Sequence, residues 1–132
     1  MPNDPQTILV VEDEKPLLEA IKIKLEKNGF EVETARTIEQ AKKYALDTPK
    51  IDVIWLDHYL FGKGNGLDFI AWCKQEDNQK CNLIPFFIVS NTASSDKVAS
   101  YMHLGAKKYF IKANHKLDEI IKDIKQSLVA DV

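Results

Sequence analysis

Five side chains in this 132-residue sequence carry the charges and donors that phosphoryl chemistry needs, and each follows a short apolar run. Glu12 and Asp13 follow Thr7-Ile8-Leu9-Val10-Val11, and Asp57 follows Val53-Ile54-Trp55-Leu56. Ser90 follows Phe86-Phe87-Ile88-Val89, and Lys112 follows Tyr109-Phe110-Ile111. Brought to one place, three carboxylates about 5 Å apart repel by roughly 3 kcal/mol per pair at an effective dielectric near 20. Such a cluster persists only around a positive charge. A hard divalent cation with oxygen ligands suits it, and Mg²⁺ usually takes one or two carboxylates and keeps several waters. A cation held there also neutralises a phosphoryl group, together with the Lys112 ammonium and the Ser90 hydroxyl. Asp57, alone at the end of its run, is then the candidate nucleophile, a carboxylate that forms an acyl phosphate.

Whether these residues meet depends on the elements between them. Thr7–Val11 is continuous and rich in β-branched residues, the pattern of a strand buried on both faces. Leu18, Ile21 and Leu25 recur at i, i+3 and i+7, one face of a helix that Asn28-Gly29 stops. Phe30–Ala35 reads as a second strand. Thr37-x-x-Gln40 resembles a capping box, opening a helix lined by Ile38, Ala41, Ala45 and Leu46. Beyond Asp57, Gly62, Gly64 and Gly66 mark a flexible turn before a helix whose inward face is Phe69, Ile70 and Cys73. Asp77 to Asn82 is polar and irregular, and Pro85 opens the fourth strand where a missing N–H is tolerated. Ser94-Ser95-Asp96 caps a helix with Val98 and Met102 on one side, which Gly105 ends. Asn114 caps the last helix, with Leu117, Ile120, Ile121, Ile124 and Leu128 as a core-facing stripe.

Five βα units imply a parallel sheet covered by helices on both faces. Five strands favour an α/β doubly wound, flavodoxin-like sheet of order 2-1-3-4-5 over a barrel, which needs eight. Ligands in such sheets bind outside the carboxyl ends of the strands, at the switch point between strands 1 and 3. In that order the five polar residues converge on one crevice.

Composition bounds the alternatives. The chain reads as one domain with a core over about residues 7–128, and its 45% hydrophobic and 29% charged residues are an ordinary globular balance. Eighteen Lys+Arg against 20 Asp+Glu give a net charge of −2, which excludes a strongly basic nucleic-acid binder. No apolar run approaches the roughly 18 residues that span a bilayer, and Met1–Gln6 has no signal-peptide pattern. Cys73 and Cys81, with seven residues between them, match neither a disulfide framework nor a metal motif. Together these features point to the cytoplasm.

The ordered set of strand-end residues resembles the response-regulator receiver domain of two-component signalling, from Thr7 to Leu128. It comprises Val10-Val11-Glu12-Asp13-Glu14, then Ile54-Trp55-Leu56-Asp57 with Gly66 nine residues on. Phe87-Ile88-Val89-Ser90 and Gly105-Ala106-Lys107-Lys108-Tyr109-Phe110-Ile111-Lys112 complete it. The resemblance implies that Asp13 and Asp57 ligate Mg²⁺ directly, that Glu12 acts largely through water, and that the Tyr59 backbone carbonyl completes the set. It implies that Ser90 and Lys112 contact the phosphoryl oxygens and that Tyr109 is the aromatic switch. A sensor histidine kinase or phosphotransfer protein would then be the donor. The domain would be no enzyme toward other substrates, but would assist its own phosphorylation and dephosphorylation. Movement of Ser90 would let Tyr109 turn inward and remodel the surface of the fourth helix, fifth strand and fifth helix for a protein partner. The expected state is a monomer or a weak phosphorylation-dependent dimer. With no output domain after residue 132, output would go through protein contacts, or the domain is cut from a longer chain.

Three departures stand out. The loop after Asp57 is one residue longer than is common, with Phe61 where Pro is usual. Asn91 follows Ser90 in place of a small residue, which narrows access to the phosphoryl site. Ala113 replaces a Pro whose bond is typically cis; a cis bond before a non-proline costs about 2.5–4 kcal/mol, so a trans bond or local strain is expected.

Other functions fit less well. A flavodoxin-type cofactor binder needs hydroxyls and glycines in its first loop, where this chain has Glu12-Asp13-Glu14-Lys15-Pro16. A phosphatase of the haloacid dehalogenase type needs a second Asp where Tyr59 stands. The serious rival is a receiver-like interaction module that is not phosphorylated. Among the remaining residues, His58 reads as a solvent or loop residue because neighbours along an extended segment point opposite ways. His103 and His115 read as surface residues, Trp55 as packed under a helix and Cys73 as a buried small hydrophobe. Trp72 lies off the core face of its helix.

Overall fold

Period-two alternation along the strands sorts the apolar residues into two cores, one on each face of the sheet. The computed structural model describes residues 5–60, 62–75, 77–78, 80–92 and 94–130. Its strands are β1 (Thr7–Val11), β2 (Glu31–Ala35), β3 (Val53–Leu56), β4 (Phe86–Ser90) and β5 (Lys108–Ile111), all parallel in the order β2-β1-β3-β4-β5. The helices are α1 (Lys15–Lys27), α2 (Ile38–Asp47), α3 (Gly66–Cys73), α4 (Ser95–His103) and α5 (Leu117–Ala130). Ile8, Val10, Val53, Trp55, Phe87 and Val89 pack with Leu18, Ile21, Ile120 and Ile124, beneath α1 and α5. Leu9, Val11, Ile54, Leu56, Phe86 and Ile88 pack with Ala41, Phe69, Ile70 and Tyr101, beneath α2, α3 and α4. This is the doubly wound, flavodoxin-like sheet read from the sequence. Among the described residues no helix is long and apolar enough to cross a membrane.

The local signals hold in part. The Thr37 hydroxyl accepts the Gln40 N–H at 3.1 Å, but the Gln40 side chain returns to the Arg36 N–H at 2.8 Å rather than to Thr37. A full capping box stands instead at α3, where Asn65 and Asp68 each accept the other's N–H. Leu46, placed on the core face of α2, is 48% exposed because it lies in the last turn. On α4 the buried residue is Tyr101; Val98 is only partly buried and Met102 is exposed. Ser94 is its N-cap residue by position but forms no side-chain cap bond. Gly105 ends that helix with φ +95°, a conformation that L side chains rarely adopt. Asn114 does not cap α5. Lys112–Asn114 form a 3-10 turn, the helix begins at Leu117, and the Lys116 N–H bonds to the Glu119 carboxylate at 3.1 Å. Cys73 and Cys81 are both buried free thiols, and Trp72 sits at the rim of its core, stacked on Phe69. His103 and His115 are exposed.

Candidate functional site

Parallel register sets the site. Val11 pairs with Ala35 on one side and Leu56 on the other, so the residues after β1 and β3 leave the sheet at one level. The Glu12 N–H bonds to the Ala35 carbonyl at 3.0 Å, and the Asp57 N–H to the Val11 carbonyl at 2.9 Å. Both carboxylates therefore start from backbone that the ladder still holds. Ser90 closes β4 opposite Ile111 of β5, and Lys112 follows at the start of the 3-10 turn.

One carboxylate oxygen from each of Glu12, Asp13 and Asp57 lies within 4.8 Å of the others. The Lys112 Nζ stands 2.7 Å from Glu12 Oε1 and 3.3 Å from Asp57 Oδ2. Glu12 is 1% and Asp57 4% exposed, so water screens little of their mutual repulsion. Burial pushes the Glu12 carboxyl up to about 7, against the bond from Lys112 that favours its charge. Burial likewise raises Asp57, opposed by Lys112, the His58 N–H and the Ser90 hydroxyl. For Lys112 burial works the other way, yet its contacts with Glu12 and Asp57 outweigh it and raise its pKa. Among the described residues Lys112 is the ammonium bonded to the cluster, and its one charge does not balance three carboxylates. That deficit, in an all-oxygen donor set, fits a hard divalent cation.

The structure brings Glu12, Asp13, Asp57, Ser90 and Lys112 to one edge of the sheet. Ser90 is fully buried, and its hydroxyl lies 3.4 Å from the Thr92 N–H. Tyr109 is partly buried, with its hydroxyl donating to the Thr92 carbonyl at 2.8 Å, so its ring is tied to the loop that follows Ser90. The Tyr59 side chain is 54% exposed and meets the His58 ring edge-on. Asn91 is exposed, the Lys112–Ala113 bond is trans, and Phe61 lies outside the described residues.

Two neighbours of the site, Arg36 and Tyr101, carry no sequence signal. Arg36, just past β2, donates from Nε and Nη2 to the Asp13 carbonyl at 2.9 and 2.7 Å and so tethers the acidic loop. His58 corrects its reading as a solvent residue. It is 3% exposed, its N–H donates to Asp57 Oδ1 at 2.8 Å, and its Nδ1 lies 2.7 Å from the Tyr101 hydroxyl. Burial lowers the His58 pKa and raises that of Tyr101, so the bond joins two neutral groups. Gly66 makes room for it: a Cβ there would overlap the Tyr101 hydroxyl and stand 2.7 Å from the Asp57 carbonyl oxygen.

Residues 8–125 match the family profile of the response regulator receiver domain. The alkaline phosphatase synthesis transcriptional regulatory protein PhoP of Bacillus subtilis (strain 168) is 37% identical over 105 residues, 80% of this chain and 41% of that protein. The chain thus spans about two fifths of the length of the curated relatives it matches first. Among solved structures, the non-phosphorylated HemR receiver domain from Leptospira biflexa is 30% identical, with a TM-score of 0.78 over 92% of each chain. A CheY-like response regulator receiver domain protein from Methanospirillum hungatei JF-1 shares the fold, at TM-score 0.85 and 21% identity over 96% of each chain.

Proposed function

The chain belongs to the response regulator receiver domain family, and on that premise we propose that it is a phosphoacceptor switch charged at Asp57 by a phosphohistidine donor. The observation that carries this reading is the cluster of Glu12, Asp13 and Asp57, the first and last of them buried, with the Lys112 ammonium bonded to those two. Asp13, Asp57 and the Tyr59 carbonyl would hold Mg²⁺ directly, with Glu12 acting largely through water. When bound, the cation supplies the positive charge that lets carboxylate and phosphoryl group approach.

The other roles belong to the chain's own groups. The Asp57 carboxylate attacks phosphorus and the donor imidazole leaves, so the P–N bond breaks as the acyl phosphate forms. Lys112 moves from Glu12 and Asp57 to the new phosphoryl oxygens, and the Ser90 hydroxyl donates to another. Ser90 ends β4 and its hydroxyl lies beside the Thr92 N–H in the loop that Tyr109 grips, so a shift of Ser90 changes what the Tyr109 hydroxyl holds. The altered surface of α4, β5 and α5 then binds a protein partner. A sensor histidine kinase or phosphotransfer protein upstream, a cytoplasmic setting and self-assisted dephosphorylation complete the proposal.

Calorimetric titration and thermal unfolding test the cation site. Mg²⁺ is expected to bind with one-to-one stoichiometry and raise Tm, and Asp13→Asn to abolish both. An unchanged melting curve in the wild-type chain argues instead for an interaction module that works unphosphorylated.

A further inference from the structure

A buried polar pair next to Asp57 has no part in the chemistry above. Burying an imidazole and a phenol is costly unless each finds a partner. His58 and Tyr101 find each other across 43 residues of chain, at 2.7 Å. His58 is pinned at three points: its N–H donates to Asp57 Oδ1, its carbonyl accepts the Gly66 N–H at 3.0 Å, and its ring meets Tyr101. Tyr101 stands on α4, with its ring 5.8 Å from that of Tyr109 on β5. Contacts therefore run unbroken from the Asp57 carboxylate through His58 and Tyr101 to the element that carries the output surface.

We propose that the His58–Tyr101 hydrogen bond is a positioning contact that couples the state of Asp57 to α4. The inference rests on the reading of Asp57 as the phosphoacceptor. The His58 N–H occupies Oδ1, so the carboxylate is held with Oδ2 toward Lys112. Converting Asp57 to an acyl phosphate moves the negative charge from its carboxyl oxygens to the phosphoryl group, so the bond that the His58 N–H donates to Oδ1 loses its charge assistance. His58 cannot move alone, because the Tyr101 hydroxyl holds its ring in a close-packed interior. A shift at Asp57 is thus delivered to α4 through a rigid link, independently of the route through Ser90 and Tyr109.

Spatial continuity alone does not establish coupling, so the test perturbs the link and reads both ends. Amide resonances of the full chain are followed as beryllofluoride, a phosphoryl mimic, is added with Mg²⁺. Tyr101→Phe deletes only the hydroxyl. The double variant His58→Leu/Tyr101→Phe leaves no polar group stranded and so recovers stability. In the wild-type chain the resonances of residues 57–59 and of α4 both shift. In both variants the shift at residues 57–59 is expected to remain, while the α4 shift falls to about half or less. Affinity for beryllofluoride is expected to fall about threefold to tenfold, the change one net hydrogen bond can carry. A structural role alone would lower the Tm of Tyr101→Phe and restore it in the double variant, with α4 response and affinity unchanged in both; that result overturns the coupling. A wild-type chain that takes no beryllofluoride overturns the phosphoacceptor reading and the coupling with it.

Discussion

Gly66→Ala is the substitution whose effect the geometry fixes most tightly. Gly66 lies at the first position of α3 with ordinary backbone angles, so its need for a bare Cα comes from crowding. The added methyl would overlap the Tyr101 hydroxyl, and the Asp57 carbonyl oxygen and the His58 Cα lie at 2.7 and 3.2 Å. Two of the three are backbone next to the candidate phosphoacceptor and cannot retreat. Only the Tyr101 side chain can, and doing so breaks its bond to His58. Overpacking costs about 1–3 kcal/mol, and stranding buried polar groups adds about 1–3 kcal/mol. The sum, about 2–6 kcal/mol, exceeds what most single substitutions cost. Urea unfolding followed by circular dichroism measures it: with a slope of about 1–3 kcal/mol per molar, the midpoint is expected to fall by at least about 0.7 M. The second arm is more specific. Tyr101→Phe removes the overlapped hydroxyl, so the double variant Gly66→Ala/Tyr101→Phe is expected to be more stable than the sum of the single changes. A Gly66→Ala cost below about 1 kcal/mol, or strict additivity with Tyr101→Phe, refutes this account of the packing.

Three further perturbations probe the acidic cluster. Because burial raises Glu12 from 4.5 to about 7 in the folded chain, its contribution to metal-free stability is fully present below pH 4.5 and is lost as pH rises through 7. At about 1.4 kcal/mol per pH unit the loss from Glu12 is about 3 kcal/mol. Urea melts in chelator at pH 4.5, 6 and 8 should show it in the wild-type chain and not in Glu12→Gln; parallel pH profiles refute it. Lys112→Met leaves Glu12 and Asp57 without their counter-charge and is expected to cost about 3–5 kcal/mol at pH 8. Differential scanning calorimetry should find that deficit smaller at pH 5, where Glu12 takes up a proton. Arg36→Ala removes two charge-assisted bonds to the Asp13 carbonyl, for about 1.5–3 kcal/mol, and should weaken Mg²⁺ binding in calorimetry. Unchanged Mg²⁺ affinity would mean that the strands alone hold the acidic loop.

The strand-end carboxylates and Lys112 were legible because two simple rules meet there. A continuous β-branched run marks a buried parallel strand, and the switch point of such a sheet gathers whatever follows those runs. His58 was illegible for a physical reason. Alternation of side chains decides orientation only while the chain stays in the sheet, and the chain leaves it at Asp57. The partner that keeps the imidazole inside, Tyr101, is 43 residues away. Tyr101 was missed in turn because α4 is only nine residues long, so Val98, Tyr101 and Met102 offer nearly equivalent faces. A phenol becomes the buried member only once a polar partner waits in the core. Asn114 misled because a good capping residue falls within the 3-10 turn that begins at Lys112, and α5 starts three residues later.

Intact-protein mass spectrometry after incubation with acetyl phosphate and Mg²⁺ tests the central claim most directly. The expected result is a gain of one phosphoryl group in the wild-type chain, lost on hydroxylamine treatment as an acyl phosphate should be, and absent from Asp57→Asn. An unmodified wild-type chain, or a phosphoryl group that persists in Asp57→Asn, contradicts the assignment of Asp57 as the phosphoacceptor.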